Sequence, residues 1–139
     1  MNNPHDMRPS LLIVDDDEIF CEVLADAFTD RGYDVVVAHD IDAGISSAQQ
    51  QEPEYAVIDL RIGQESGLNM VNTLHKLDEN TRIVMLTGYA SVATAVEAIK
   101  LGAVHYLTKP ANADEILAAL HKDERDASIP VSDTPLSVK

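Results

Sequence analysis

The stretch "LLIVDDDEIF" at residues 11–20 decides the fold, because it joins an apolar strand to an acidic turn and the start of a helix. Its first four residues form an apolar run without alternation, which is typical of a strand buried on both faces of a parallel sheet. Three aspartates follow at once: Asp15, Asp16 and Asp17. Two carboxylates about 4 Å apart repel by roughly 4 kcal/mol at an effective dielectric constant near 20. The rest of the chain must therefore supply compensating positive charge.

Four further apolar runs alternate with amphipathic segments. The runs are "YDVVVA" at 33–38, "YAVI" at 55–58, "RIVML" at 82–86 and "AVHYL" at 103–107. The segments between and after the runs have helical spacing, and we predict helices over residues 17–31, 41–51, 67–78, 91–101 and 112–122. Spacers of this length suit right-handed crossovers between parallel strands. The sequence therefore predicts an α/β fold, a (βα)5 doubly wound domain with a five-stranded parallel sheet.

The overall composition excludes several functional classes. In the 139 residues, 24 acidic residues outnumber 10 basic ones, and the net charge of −14 makes direct nucleic-acid binding by this chain unfavourable. Cys21 is the only cysteine, so no internal disulfide is possible, and we interpret it as a small, partly buried helix residue. The five histidines lack the spacing of metal ligands. No apolar run approaches the roughly 20 residues that a membrane-spanning helix needs.

The two ends of the chain differ in composition from its middle. Residues 1–9 lack the apolar core of a signal peptide, so we predict a disordered arm and a cytoplasmic protein. Residues 10–124 carry the alternating pattern and form the predicted domain. Residues 125–139, "RDASIPVSDTPLSVK", are polar, contain two prolines and have no periodicity. We interpret them as a linker or tail.

Polar residues collect where the predicted strands end. Four strand ends carry them: Asp15 with Asp16, then Asp59, then Thr87, and finally Thr108 with Lys109. The second strand ends in Ala38 and His39, which fit no obvious role in such a site. With the second strand at the edge, in the flavodoxin-like strand order 2-1-3-4-5, the other four ends meet at one cleft.

This set of side chains has the chemistry of a phosphoryl-transfer site. Three carboxylates in one cleft need a cation, and hard oxygen ligands favour Mg²⁺. The ammonium of Lys109 and the hydroxyl of Thr87 can each bind a phosphoryl oxygen. An aspartate can act as the nucleophile and form an acyl-phosphate. We therefore interpret the acidic turn as a metal site.

Four motifs at these strand ends resemble those of the two-component response regulator receiver domain. They are "VDDD" after the first strand, "IDL" followed by "SGL" at 66–68, "LTGYA" after the fourth strand and "YLTKP" after the fifth. The resemblance covers roughly residues 10–122. It implies that Asp59 is the phosphoacceptor and that Asp15, Asp16, Asp59 and the backbone carbonyl of Arg61 bind Mg²⁺. Asp17 is then a residue that starts a helix, favoured there by the helix dipole, and not a ligand.

The same resemblance assigns roles to three further residues. Thr87 would bind the phosphoryl group and draw the following loop inward. Lys109 would pair with the phosphoryl oxygen or with Asp59, and the Lys109–Pro110 peptide would be cis. Tyr106 would turn inward as Thr87 moves and so act as the switch residue.

The resemblance also implies partners. The phosphoryl donor would be the phosphohistidine of a sensor histidine kinase, and the domain would be a switch that assists its own phosphorylation and dephosphorylation, not an enzyme that turns over a metabolite. The segments "DLRIGQESGL" and "LTGYASVATAVEAIKLGAVHYLTKPANADEI" are similar to the RegA/PrrA/ActR subgroup, whose members carry a C-terminal helix-turn-helix DNA-binding domain. No helix-turn-helix segment is present in this sequence. Any DNA binding would belong to such a segment. The resemblance further allows a homodimer on phosphorylation.

One position departs from the common family pattern, and two others bear on how long the acyl-phosphate persists. Gly63 stands four residues after Asp59, where the family often has proline, and we expect a looser loop there. Arg61 and Tyr89 follow Asp59 and Thr87 by two residues each. We predict that these two bulky side chains shield the acyl-phosphate from water.

Two other functional classes compete with this interpretation. "IVDDDEI" contains Asp15-x-Asp17 after an apolar strand, as in haloacid-dehalogenase-like phosphatases, with Asp15 as the nucleophile. That alternative leaves Asp59 unexplained, and the chain offers neither a cap domain nor a later acidic pair. The second alternative is a pseudo-receiver, which has the fold and binds partners without phosphorylation, although all the expected site residues are present.

Overall fold

Each of the five predicted apolar runs forms a strand in the computed structural model, which describes residues 8–89 and 91–122. The strands are β1 (Ser10–Val14), β2 (Asp34–Ala38), β3 (Tyr55–Asp59), β4 (Arg61–Ile62), β5 (Glu65–Ser66), β6 (Arg82–Thr87) and β7 (His105–Thr108). The helices are α1 (Glu18–Asp30), α2 (Ile41–Gln51), α3 (Gly67–Leu77), α4 (Val92–Leu101) and α5 (Ala113–Leu120).

Five strands form one parallel sheet in the order β2-β1-β3-β6-β7. Because β4 and β5 form a separate two-stranded hairpin, β6 and β7 are the fourth and fifth strands of the main sheet. The order is thus the predicted one once the hairpin is left out of the numbering. It places the end of β1 beside the end of β3, with Val14 opposite Ile58.

Helices cover both faces of the sheet and divide the core in two. One cluster packs α1 and α5 on the sheet through residues such as Phe28 and Ile116. The other packs α2, α3 and α4 on the opposite face through Met70 and Ala98, among others. Strand β3 is buried along its whole length, which explains the unalternating apolar run in the sequence.

Polar side chains begin all five helices. The N-caps are Asp17, Asp40, Ser66, Ser91 and Asn112, and each accepts a hydrogen bond from a backbone N–H of the first turn. Asn112 and Glu115 complete a reciprocal capping box. The interpretation of Asp17 as a helix-start residue is therefore confirmed, since its carboxylate binds the amide of Phe20.

The loop after β3 contains a two-stranded hairpin that the sequence did not predict, and the looser loop that we expected from Gly63 stays a prediction. Arg61 pairs with Ser66 and Ile62 pairs with Glu65. Gly63 turns the chain with a φ of 62°, a conformation that proline cannot adopt. Its N–H also donates to Asp16 Oδ2 at 2.8 Å, so glycine ties this loop to the acidic turn.

Residues 1–7 of the predicted arm, residues 123–124 of the predicted domain and the whole predicted tail lie outside the described residues. Within the described part of the chain, none of the helices has the length and apolar character that crossing a bilayer requires.

Candidate phosphoryl-acceptor site

The carboxyl ends of β1 and β3 bring three carboxylates together. Asp15 directly follows β1, Asp59 ends β3, and Asp16 is the next residue after Asp15. Asp15 and Asp59 are only 2% and 8% exposed, whereas Asp16 is exposed. One oxygen from each of the three carboxylates lies within 4.8 Å of the others. The geometry therefore forms the acidic cluster that the strand ends predict.

Lys109, on the loop after β7, places its ammonium against two of these carboxylates. Its Nζ donates to Asp15 Oδ2 at 2.8 Å and to Asp59 Oδ2 at 3.5 Å. The same Nζ lies 4.6 Å from the centre of the Phe20 ring, which supports the cation from the side of α1. The Lys109–Pro110 peptide is cis, as predicted.

The electrostatics of the cluster raise the pKa of the Asp59 carboxyl. Burial raises the pKa of Asp59 from 3.8 to about 6, and the charge of Asp15 adds to this effect, while Lys109 and a hydrogen bond from the Arg61 main chain oppose it. For Lys109, burial alone would lower the pKa, but the hydrogen bond to Asp15 and the two carboxylate charges raise it above its usual value. One ammonium thus compensates the cluster only in part.

The donor set fits a hard divalent cation. Mg²⁺ holds oxygens about 2.1 Å away, so two of its ligand oxygens are at most about 4.2 Å apart. The cluster, with oxygens within 4.8 Å, needs shifts below about 1 Å to meet that limit. Asp15, Asp16 and Asp59 could hold such an ion. The backbone carbonyl of Arg61 stays a predicted ligand.

Thr87 and Tyr106 lie on neighbouring strands of the sheet. The Thr87 side chain is buried, and its Oγ1 accepts from the Tyr89 N–H at 2.9 Å. The half-buried Tyr106 ring directs its hydroxyl to the first turn of α4, where it lies 2.6 Å from Thr94 Oγ1 and accepts from the Ser91 N–H at 3.4 Å. The switch roles of the two residues stay predictions.

Two exposed side chains meet above the loops after β3 and β6. The Arg61 guanidinium carbon lies 4.7 Å from the centre of the Tyr89 ring, which is a cation–π contact. Tyr89 is 64% exposed. The sequence placed both residues near the site but could not show that they contact each other.

Two residues of the site were missed by the sequence argument. His39, to which we had assigned no role, and Cys21 both contact the backbone carbonyl of Asp15. The register that pairs Val14 with Ala38 places His39 beside Asp15, and this register is known only from the structure. Cys21 is fully buried, and burial together with the charge of Asp15 raises its pKa to about 12.

Gly67 also lies at the site, and the sequence alone did not explain why glycine stands there. Its N–H donates to the Leu60 carbonyl at 2.7 Å as α3 begins. A Cβ atom at this position would collide with the backbone carbonyl oxygen of Asp59. Glycine therefore permits α3 to begin directly against the strand that carries Asp59.

Comparison with known proteins identifies the class of domain that has this geometry. The sequence model of the response regulator receiver domain matches residues 11–121. The acid tolerance regulatory protein ActR of Sinorhizobium medicae is 51% identical over 111 residues, which are 80% of this chain and 57% of ActR. The photosynthetic apparatus regulatory protein RegA of Rhodovulum sulfidophilum is 46% identical over 129 residues, or 93% of this chain and 70% of RegA. The chain thus spans little more than half the length of ActR.

Solved structures show the same fold. A response regulator protein from Burkholderia pseudomallei, crystallised with a phosphorylated aspartic acid, a calcium ion and citrate, superposes with a TM-score of 0.80 at 42% identity, covering 88% of this chain and 76% of that one. A CheY-like receiver domain from Methanospirillum hungatei superposes with a TM-score of 0.80 at 27% identity, covering 87% of this chain and 98% of that one.

Proposed function

The chain belongs to the response regulator receiver domain family, within its RegA/ActR-like subgroup, and on this premise we propose that Asp59 accepts a phosphoryl group from the phosphohistidine of a sensor histidine kinase. The observation that carries the proposal is the cluster in which Lys109 bridges Asp15 and Asp59 beside the exposed Asp16. It provides a nucleophile, a fixed positive charge and oxygen ligands at one edge of the sheet.

In the proposed step, a carboxylate oxygen of Asp59 attacks phosphorus and forms the P–O bond of an acyl-phosphate. The P–N bond to the kinase imidazole breaks, and the leaving nitrogen keeps the electron pair. A proton already on the other ring nitrogen of the phosphohistidine makes the leaving group a neutral imidazole. A pKa of about 6 leaves Asp59 mainly ionised at pH 7, so that the nucleophile is available.

The neighbouring residues orient the group and neutralise its charge. Lys109 is free to exchange its longer contact with Asp59, 3.5 Å, for a phosphoryl oxygen while it keeps Asp15 at 2.8 Å. A divalent cation held by Asp15, Asp16 and Asp59, with the Arg61 carbonyl, would add charge neutralisation for the phosphoryl oxygens. Mg²⁺ is the cation that we propose.

The response to phosphorylation is a change of conformation. We propose that the Thr87 hydroxyl leaves the Tyr89 N–H for a phosphoryl oxygen and that Tyr106 then turns inward from Thr94. Dephosphorylation is the hydrolysis of the acyl-phosphate, which the domain itself assists. The contact between Arg61 and Tyr89 supports our prediction that they limit the access of water to the phosphoryl group.

The wider setting is also a proposal. Residues 10–124 form the receiver domain, and residues 125–139 are a linker to a helix-turn-helix output domain that binds DNA. Because this chain has a net charge of −14, we propose that DNA contacts belong to that output domain. A homodimer on phosphorylation and a cytoplasmic location complete the proposal.

Intact-mass spectrometry after incubation with acetyl phosphate and MgCl₂ tests the phosphorylation step. We expect an increase of about 80 Da, one phosphoryl group, in the wild type and none in Asp59→Ala or in the presence of EDTA. No adduct in the wild type under conditions where Mg²⁺ binds would favour a pseudo-receiver. An adduct that persists in Asp59→Ala and disappears in Asp15→Ala would favour the phosphatase alternative.

A further inference from the structure

The backbone carbonyl of Asp15 is held by two side chains from different parts of the fold. His39 Nδ1, just after β2, lies 3.1 Å from the Asp15 carbonyl oxygen. Cys21 Sγ, on α1, lies 3.3 Å from the same oxygen. A carbonyl oxygen can only accept hydrogen bonds, so His39 must carry its proton on Nδ1 and Cys21 must donate as a thiol.

The other polar atoms of Asp15 are also engaged. Its N–H donates to the Ala38 carbonyl at 3.1 Å. Its Oδ1 accepts from the Asp17 N–H at 2.9 Å, and its Oδ2 accepts from Lys109. Main chain and side chain of Asp15 are therefore fixed together, and within the described residues the hydrogen bonds to the carbonyl come from His39 and Cys21.

We propose that His39 and Cys21 are positioning residues that hold the Asp15 main chain so that its carboxylate is already oriented for a divalent cation. The inference rests on the proposed function, because it takes Asp15 as a cation ligand. Neither residue is among the proposed cation ligands. Their effect is to reduce the conformational freedom that Asp15 would otherwise lose when the ion binds.

Loss of a hydrogen bond to the Asp15 carbonyl leaves the main chain of Asp15 freer to move. The carboxylate then loses more conformational freedom when a divalent cation binds, so the expected sign of the effect is weaker binding.

An NMR titration of the whole chain with MgCl₂ at pH 8 tests the proposal. We expect His39→Leu to weaken Mg²⁺ binding about tenfold, the low end of what the loss of an outer-shell partner costs. His39→Asn is the matched control, because its amide nitrogen stands at the position of Nδ1 and can donate to the same carbonyl, so binding should return to within about twofold of the wild type.

Two variants of Cys21 test the second hydrogen bond to the Asp15 carbonyl. Cys21→Ala should weaken binding about threefold, since a thiol is a weak donor, and Cys21→Ser should restore part of it. Thermal unfolding in EDTA is measured for each variant. If the two residues were merely structural, the variants would lower stability, and the conservative variants Cys21→Ser and His39→Asn would not restore the affinity for Mg²⁺.

The outcomes are distinct. Equal Mg²⁺ affinity in the wild type and His39→Leu would overturn the inference and leave the proposed function intact. Weak binding by both His39→Leu and His39→Asn would also overturn it, because donation to the carbonyl would not be the cause. If the wild type binds no Mg²⁺, the metal part of the proposed function fails and this inference fails with it.

Discussion

The two ends of the central sheet treat their polar groups in opposite ways. At the carboxyl end, three carboxylates lie together, and the ammonium of Lys109 pairs with two of them, Asp15 and Asp59. At the opposite end, where α5 finishes, donors meet acceptors: Arg82 Nε donates to the Leu120 carbonyl at 2.7 Å, and the Tyr33 hydroxyl lies 2.6 Å from His121 Nε2.

The difference separates an end whose hydrogen bonds stabilise the fold from an end that carries the proposed site. Matched hydrogen bonds stabilise one arrangement, because breaking any of them leaves a polar group without its partner. An excess of like charge does the reverse, and an added cation would relieve it. Changes at the first end should therefore alter stability, and changes at the second should alter chemistry.

The largest expected effect comes from removing the ammonium at the carboxyl end. Lys109→Met should lower the rate of phosphorylation by acetyl phosphate about 100- to 1,000-fold, since one positioned donor to a developing charge contributes on that scale. Time-resolved intact mass measures the rate. A decrease of less than about fivefold would contradict the role of Lys109, provided that far-UV circular dichroism shows an intact fold.

The next effect is on stability, depends on pH and comes from the raised pKa of Asp59. Because the pKa of Asp59 is raised from 3.8 to about 6 in the fold, the folded state keeps a proton that the unfolded state has lost, and stability decreases as pH rises through this range. In EDTA at pH 8, Asp59→Asn should be more stable than the wild type by up to about 3 kcal/mol, at roughly 1.4 kcal/mol per pKa unit.

Urea unfolding of the two proteins at pH 8 and at pH 4 measures that difference. At pH 4 the gain should largely disappear, because the wild-type carboxyl is then mostly protonated in the fold. A gain of equal size at both values of pH would show that packing, not ionisation, is responsible.

A smaller effect is expected at the opposite end. Arg82→Met should destabilise the domain by about 1–3 kcal/mol, the cost of losing a hydrogen bond from a charged donor to the Leu120 carbonyl. Its initial rate of phosphorylation should match the wild type at a temperature where both are folded. A marked loss of rate would break the division between the two ends.

The smallest effect is expected at the exposed rim of the carboxyl end. Arg61→Asn combined with Tyr89→Ala should speed dephosphorylation about two- to fivefold, in keeping with the roughly 0.5–1 kcal/mol of an exposed cation–π pair. Loss of the phosphorylated mass over time measures the rate, and each single variant is the control. An unchanged rate in the double variant would contradict the shielding role.

Much of the carboxyl end was predictable from the sequence because parallel strands have a simple rule. Their carboxyl ends lie at one edge, so Asp15, Asp59 and Lys109 could be placed together from the order of the strands alone. The apolar runs were long and unalternating, and the helix N-caps were the residue types that such positions favour.

The parts that could not be predicted involve backbone atoms or very short elements. The hairpin of β4 and β5 has two residues in each strand, too few to show a periodicity. The roles of His39 and Cys21 depend on the Asp15 carbonyl, and every residue has a carbonyl, so no residue type marks it. The collision that excludes a side chain at Gly67 depends likewise on the Asp59 backbone.

The anchored end of α5 determines how a signal can leave the domain. Strand β6 runs its six residues from Arg82, which holds Leu120, to Thr87 at the carboxyl edge, a span of about 17 Å. A phosphoryl group on Asp59, as we propose, would make no direct contact with the end of α5 across this distance. Any change that reaches that point would therefore travel as a displacement of packed strands and helices.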